Sequence, residues 1–243
     1  MLSTLIILGL LIIHWYSSLF FQTVFLHRYA SHNMFKLSPF MERVFYFGTF
    51  ITQGSSFLNP RAYAILHKLH HKYSDQNDDP HSPVKASNVM KMMLHTFNIY
   101  KEIIQHPERY DHIQAGVKEW KALDKFADAW ITRILFGAAF FFLYMSIAEY
   151  WWQFAFLPMH WLMGPIHGAI VNWCGHKYGY QNFDNGDNSK NTLPIDFLMM
   201  GELYQNNHHK FPTRLKFAAK KFEIDFGYLS VYFLKKFKII KMA

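Results

Sequence analysis

Every dense histidine cluster in this chain lies at the edge of an apolar stretch, and that adjacency restricts the folds open to it. Leu2–Leu26 is mostly apolar over 25 residues. At about 1.5 Å per residue this suffices to cross a bilayer core of about 30 Å as a helix. It lacks a basic leader and a small-residue cleavage site, so it reads as a retained helix rather than a signal peptide. Ile131–Tyr150 and Trp151–Val171 are two further apolar runs with almost no linker. That is the pattern of a helical hairpin, with Glu149, Trp151 and Trp152 at an interfacial turn. Arg28 and Lys36 follow the first run, which puts that end in the cytoplasm and the N-terminus outside.

Parity decides the segment between. Phe40–Leu58 carries Glu42, Arg43, Gln53, Gly54, Ser55 and Ser56. A full crossing would separate His27 and His32 from His67, His70 and His71 by the thickness of the membrane. An in-plane or re-entrant helix, its polar groups facing protein, keeps them on one side. The hairpin then returns the chain to that side, where His176, His208 and His209 follow.

The polar remainder reads as a cap. Asp78-Asp79-Pro80-His81-Ser82-Pro83 marks a loop, Val89–Gln105 an amphipathic helix, and Lys118–Asp128 a charged approach to the membrane. Arg214–Lys241, rich in Lys with interspersed Phe and Ile, suits a helix lying on an anionic membrane surface. The expected fold is an all-α membrane protein forming one domain over 1–243. It has about three transmembrane helices (1–26 and a hairpin at 131–171), an in-plane or re-entrant helix at 40–58, and a cytosolic helical cap holding a histidine-rich di-metal site.

Composition agrees. Half the residues are hydrophobic and 19% are aromatic, while the mean hydropathy is near zero, so a few membrane helices carry a large polar body. The formal charge of +8 forms no isolated basic stripe, and no nucleic-acid module is visible. Anionic lipid and a phosphate-bearing substrate are better partners, and the cytoplasmic Lys/Arg excess of membrane proteins also accounts for it. The single cysteine, Cys174, excludes an intrachain disulfide, and the lack of Cys-x-x-Cys excludes an iron–sulfur centre.

A lone histidine is usually a hydrogen-bonded surface or core residue. Clusters at ligand spacing, brought to one face, argue otherwise. His67, His70 and His71 share a helical face, as do Gln205, His208 and His209. His27 and His32 are five apart, off one face of a straight α-helix, and are expected to bracket the end of the first helix. With His176 these make eight candidate ligands among fifteen histidines. A structural zinc closes at four, so eight suggest two ions. Imidazole suits zinc, copper, iron and nickel; paired redox-active irons are the choice that serves oxidative chemistry on an apolar substrate. His81 is either an outer contact of the metal or substrate or a loop histidine, and His14, His160 and His167 read as packing or polar-network residues. Arg61, Lys68 and Lys72 stand within reach of substrate phosphates, and equally read as solvated basic residues. Tyr63 reads as a tunnel or a core aromatic.

In this order the clusters resemble the membrane fatty acid desaturase family, specifically its acyl-CoA Δ9-desaturase branch. The resemblance rests on His27-x-x-x-x-His32, His67-x-x-His70-His71, Asp78-Asp79-Pro80-His81, Asn172-x-x-x-His176 and Gly201-Glu202-Leu-Tyr-Gln205-Asn-Asn-His208-His209-Lys-Phe-Pro, and it runs from about Phe20 to Tyr228. It implies that His27, His32, His67, His70, His71, His176, His208 and His209 hold a non-haem di-iron centre, with Asn172 reaching one iron through water. It implies a cis double bond, at Δ9, made in a saturated acyl chain with O2 and two electrons.

Three departures qualify it. Gln205 stands where the family usually has histidine, leaving it a weak or water-mediated ligand. One membrane helix precedes the first box where the animal enzymes have two. No His-Pro-Gly-Gly occurs, so electrons come from a separate ferredoxin or cytochrome b5 type protein. Expected partners are acyl-CoA or another long-chain acyl substrate and membrane lipid, without nucleic acid. The expected location is the bacterial inner membrane, multi-pass, with the site facing the cytosol. A related di-iron hydroxylase or acyl-lipid desaturase is the alternative, and a membrane metal-binding or transport protein is the non-enzyme one.

Overall fold

The computed structural model describes residues 1–242. Helix α1 (Leu2–Phe21) carries no charged residue and passes without a break into a π-helix at Gln22–Ser31. The combined unit Leu2–Ser31, 30 residues long, is apolar enough to cross a membrane. It runs five residues past the expected end at 26, because the π segment is apolar on the side that enters the core: Val24, Phe25, Leu26 and Ala30 are fully buried.

Strand β1 (Phe35–Leu37) leads to α2 (Pro39–Gln53), which starts with Pro39 in its first turn and Ser38 accepting from the Met41 amide at 3.2 Å. Helix α2 packs antiparallel against α1. Phe45 meets Phe20, Phe21 and Phe25, and Thr52 O accepts from His14 Nε2 at 2.6 Å, level with the middle of the long unit. There the chain turns. Gly54 has φ +49°, and a Cβ on it would meet the Phe136 ring at 2.8 Å, so only glycine suits this tip. After the 3-10 turn Gly54–Ser56 the chain climbs back into α3 (Pro60–Tyr73), capped by Asn59. It returns to the side it left, beside the π segment.

Helix α4 (Val89–Gln105) matches its expected bounds, capped by Asn88. Helix α5 (Lys121–Asp128) leads to α6 (Trp130–Ile147), the second helix long and apolar enough to cross. The expected partner helix over Trp151–Val171 is broken. A 3-10 turn at Trp151–Phe156 precedes α7 (Leu157–Trp161) and α8 (Met163–Ala169), followed by a second π-helix at Ile170–Cys174. The halves Trp151–Trp161 and Met163–Cys174 meet at 74°. Pro158 and Pro165 lack a backbone N–H, and Gly164 N–H donates to Ser56 Oγ at 3.1 Å instead of to the helix, so the ladder of a straight helix is incomplete on both sides of the bend. Two helices are therefore long and apolar enough to cross a membrane, or three if the bent pair counts as one span.

Three histidines, His14 half-buried and His160 and His167 buried, tie these helices together. His14 Nε2 donates to Thr52 O, which leaves His14 Nδ1 to accept from His160 Nδ1 at 2.8 Å. His160 Nε2 accepts from the Tyr144 hydroxyl at 3.0 Å. His167 Nδ1 lies 3.2 Å from Gln22 Oε1. The network reading for all three agrees with these contacts.

The third cluster lies on α9 (Gln205–Lys210). The tail departs from a surface helix over Arg214–Lys241. Only α10 (Phe226–Lys236), capped by Asp225, is helical, and Lys238 at φ +60° ends it. Strand β2 (Ile240–Met242) then pairs antiparallel with β1, Leu37 opposite Ile240. The all-α expectation is corrected by this one two-stranded sheet, which holds the tail over the end of the π segment. The largest core cluster surrounds that segment, with Phe45, Tyr46, Phe57, Tyr204 and Phe217 among its members.

Candidate metal centre

The first pair is positioned by helix type. His32 N–H donates to His27 O at 3.2 Å, an i+5 bond, which is the π-helix repeat. Residues five apart then share a face, and the two rings lie 5.1 Å apart. They bracket the helix end as expected, His27 inside the π segment and His32 its C-cap, and the wider turn aims both inward.

The helical clusters divide rather than acting as units. His67 and His71, one turn apart on α3, join His27, His32 and His208 in a group whose ligand atoms all lie within 4.8 Å of one another. His70, on the adjacent flank, joins His176 and His209 instead. The same split parts His208 from His209 on α9. All eight candidate histidines thus converge, five in one group and three in its neighbour.

The facing nitrogens have the spacing a metal demands. The Nε2 pairs are His32–His67 at 2.7 Å, His27–His208 at 2.9 Å, His71–His208 at 2.9 Å, His67–His71 at 3.0 Å and His70–His209 at 3.2 Å. Ligands about 2.1 Å from an ion and at right angles about it are separated by about 3 Å. Hydrogen bonding alone cannot satisfy the set. Glu202 accepts from His27 Nδ1, Asp79 from His70 Nδ1 at 2.9 Å, Asp75 from His176 Nδ1 at 3.0 Å and Asp187 from His209 Nδ1 at 2.6 Å. With Nδ1 carrying the proton, these four Nε2 atoms present bare lone pairs to the centre. His176 Nε2 is buried without a partner. The donor set fits two cations.

Burial, reinforced by repulsion among neighbouring imidazoles, holds His67, His70, His71 and His208 well below the usual histidine range, and holds His32 down to about 2. They are neutral, as ligands must be. Burial works against ionisation of Glu202, yet His27, Arg28 and Thr23 together keep its carboxyl below its ordinary value. Arg28 is fully buried, pairing with Glu202 at 2.8 Å and with both oxygens of Asp225 at 3.1 and 3.2 Å.

The four carboxylates were not assigned from sequence. Asp79 and Glu202 stand inside the recognised motifs, but nothing local marks their role, and Asp75 lies 101 residues from its partner His176. Gln205 lines the neighbouring cavity, its Nε2 donating to Glu202 O at 2.6 Å. Asn172, on the second π-helix, lines the same cavity. His81 packs on His70 with ring centroids 4.3 Å apart and, with Asp79, forms a third group of possible ligands. Cys174 is in none of the three groups. Arg61 pairs with Asp111 at 2.9 Å, Lys68 donates to Gln114 O at 2.5 Å and Lys72 lies over the Tyr73 ring.

A cavity of about 560 Å³ begins at His27, His67 and Glu202 and runs between α4, α8 and the start of α6. Its walls are chiefly apolar, with Tyr63 stacked on His67 at the inner end. An apolar cavity that reaches His27 and His67 of the five-histidine group suits an aliphatic ligand held beside a metal centre.

Sequence comparison gives the particular family. The profile of the fatty acid desaturase family matches residues 2–220, and the chain belongs to that family. An acyl-CoA 5-desaturase of Anemone leveillei is 28% identical over 85% of this chain and 61% of its own length. A hex-5-enoyl-[acyl-carrier protein] acetylenase of Moorena producens is 26% identical over 96% of the chain and 75% of its own length. An sn-1 stearoyl-lipid 9-desaturase of Anabaena variabilis is 24% identical over 93% of the chain and 79% of its own length. The chain thus spans about three fifths of the Anemone relative.

Proposed function

We propose that this chain is a membrane fatty acyl desaturase that makes a cis double bond, at Δ9, in a saturated acyl chain. The observation that carries the reading is the convergence of eight imidazoles beside an apolar cavity that reaches two of them, His27 and His67. Two irons are the proposed occupants, one among His27, His32, His67, His71 and His208, the other among His70, His176 and His209. Bound iron would supply the activation of O2 that an unactivated C–H bond requires, since a saturated chain offers no acid, base or leaving group. The balance is one CH2–CH2 unit, O2, two electrons and two protons giving one CH=CH unit and two waters.

The chain's own residues do the positioning. Apolar walls exclude water and lay the methylenes beside the imidazoles. Glu202, Asp75, Asp79 and Asp187 hold four rings in one tautomer and orientation. Leu2–Ser31, α6 and the bent pair are the proposed membrane spans, with α2 entering and leaving on the cytosolic side. The electrons are proposed to come from a separate ferredoxin or cytochrome b5 type protein.

The test is expression in a host without its own desaturase, followed by fatty-acid profiling with double-bond location. The expected product is lighter by two hydrogens. His70→Ala and His208→Ala are expected to abolish turnover and to lower bound iron. A product heavier by one oxygen would make the chain a hydroxylase; unaltered turnover in both variants would refute the site.

A further inference from the structure

The cavity has a side opening, and its rim is apolar. Leu162, at the bend between α7 and α8, lines the cavity yet is 51% exposed. The preceding residue fixes its depth: Trp161 Nε1 donates to Gly137 O, level with the middle of α6. Facing it are Met90, Leu94 and Phe97 on α4, which line the cavity while 65%, 56% and 54% exposed. These three stand at i, i+4 and i+7, so they form one stripe along α4, and the next position on it is Lys101, exposed and also lining the cavity.

The charges on this rim are few. Arg133 lines the cavity, but its guanidinium is committed to Ser55 O and Phe57 O at 3.0 Å and to Asp128 at 2.9 Å. Arg61 and Lys68 are bound to protein, as described above. A coenzyme A carrier brings three phosphate groups, and an acyl carrier protein an acidic surface; either calls for several free cations at the mouth. Lys101 matches one phosphate. An apolar stripe ending in a single exposed lysine matches a chain that lies in lipid with its headgroup at the interface.

We propose that the cavity is loaded sideways from the bilayer and takes the acyl chain of a membrane phospholipid, not a thioester of coenzyme A. The chemistry done on that chain rests on the desaturase reading; the route does not. Leu162 faces the hydrocarbon region, α4 lies along the interface, and the chain slides between them toward the imidazoles while Lys101 meets the headgroup phosphate.

The test uses the full iron-loaded chain in lipid nanodiscs doped with phosphatidylglycerol whose stearoyl chain carries a diazirine. The comparison probe is diazirine-stearoyl-CoA added from solution. The phospholipid should label the Met90–Phe97 segment and Leu162, and stearoyl-CoA should not compete. Leu94→Lys should cut that labelling at least about tenfold, and so should Leu94→Trp, which fills the rim without adding charge. Phe142→Trp, on a lipid-facing position of α6 away from the cavity, should leave it unchanged. Labelling of the same segments by the coenzyme A probe in preference to the lipid would overturn the proposal, as would lipid labelling that both Leu94 variants leave intact. Labelling needs no turnover, so the two readings fail separately. Rim labelling without any double bond defeats the desaturase and keeps the route. Double bonds formed only in CoA-borne stearate do the reverse.

Discussion

The Nδ1 of His27 is hydrogen-bonded to the carboxylate of Glu202, a residue 175 positions later in the chain. Through that contact the first histidine cluster is braced by the third. The same carboxylate neutralises the buried guanidinium of Arg28, so the orientation of a candidate ligand and the solvation of a core charge depend on one side chain.

Glu202→Gln is expected to weaken metal binding by about 10–100-fold, the usual cost of losing an outer partner of a ligating histidine. Folding should survive, because Asp225 still pairs with Arg28 through both oxygens. Chelator competition followed by metal analysis measures the effect. Unchanged affinity would show that the carboxylate does not tune His27.

Gln205 precedes His208 by one helical turn, but its amide donates to Glu202 O. The second group therefore has three imidazoles against five in the first. Gln205→His is expected to tighten retention in the three-histidine group by about tenfold or more, since a direct ligand outweighs the outer partners just considered. The readout is iron retained per chain on dialysis against a chelator. No gain would place residue 205 outside ligand reach.

The buried imidazoles set a pH dependence for the metal-free chain. In the unfolded state each takes a proton near pH 6.5. In the folded state burial and mutual repulsion keep His67, His70, His71 and His208 neutral well below that, and His32 down to about 2. The unfolded chain then binds more protons as pH falls below about 6.5, so stability drops. The slope is about 1.4 kcal/mol per pH unit for each histidine kept neutral. Above pH 7 these groups contribute no slope. The melting temperature of the metal-free protein in detergent, followed from pH 7.5 to 5.5, should fall steadily; a flat profile would mean the rings protonate freely in the folded protein.

Tyr144 closes the buried chain that runs from Thr52 O through His14 and His160. Tyr144→Phe removes the donor to His160 Nε2 and should cost about 1 kcal/mol, within the range for polar contacts between membrane helices. Reversible unfolding in mixed micelles measures it. A neutral outcome would show that His160 finds another donor.

Much of the centre was legible in the chain because imidazole clusters at short spacing are conspicuous and apolar runs have a length scale set by the bilayer. His67, His70 and His71 were recognisable together, and the parity of crossings demanded that 40–58 return to its own side. The division of each cluster between two groups was not legible. Neighbouring positions on α3 differ by about 100° in direction, and only the placement of α9 decides which flank meets which partner. His27 and His32 likewise needed the π-helix, a departure from ordinary helical spacing that no residue in Gln22–Ser31 announces by itself. The four bracing carboxylates were missed because acids are common in polar loops, and their partners are identified only across long separations.

Sequence by itself therefore determined the ingredients: which residues can ligate, which stretches prefer lipid, and that the ligands must gather in one place. The tertiary structure alone decided the five-and-three grouping, the tautomers imposed by Glu202, Asp75, Asp79 and Asp187, and the side opening between Leu162 and α4. The reason is physical. Hydrophobicity and helix periodicity act between residues a few positions apart, whereas hydrogen bonds, ligand geometry and the walls of a cavity join residues whose distance along the chain carries no information about their distance in space.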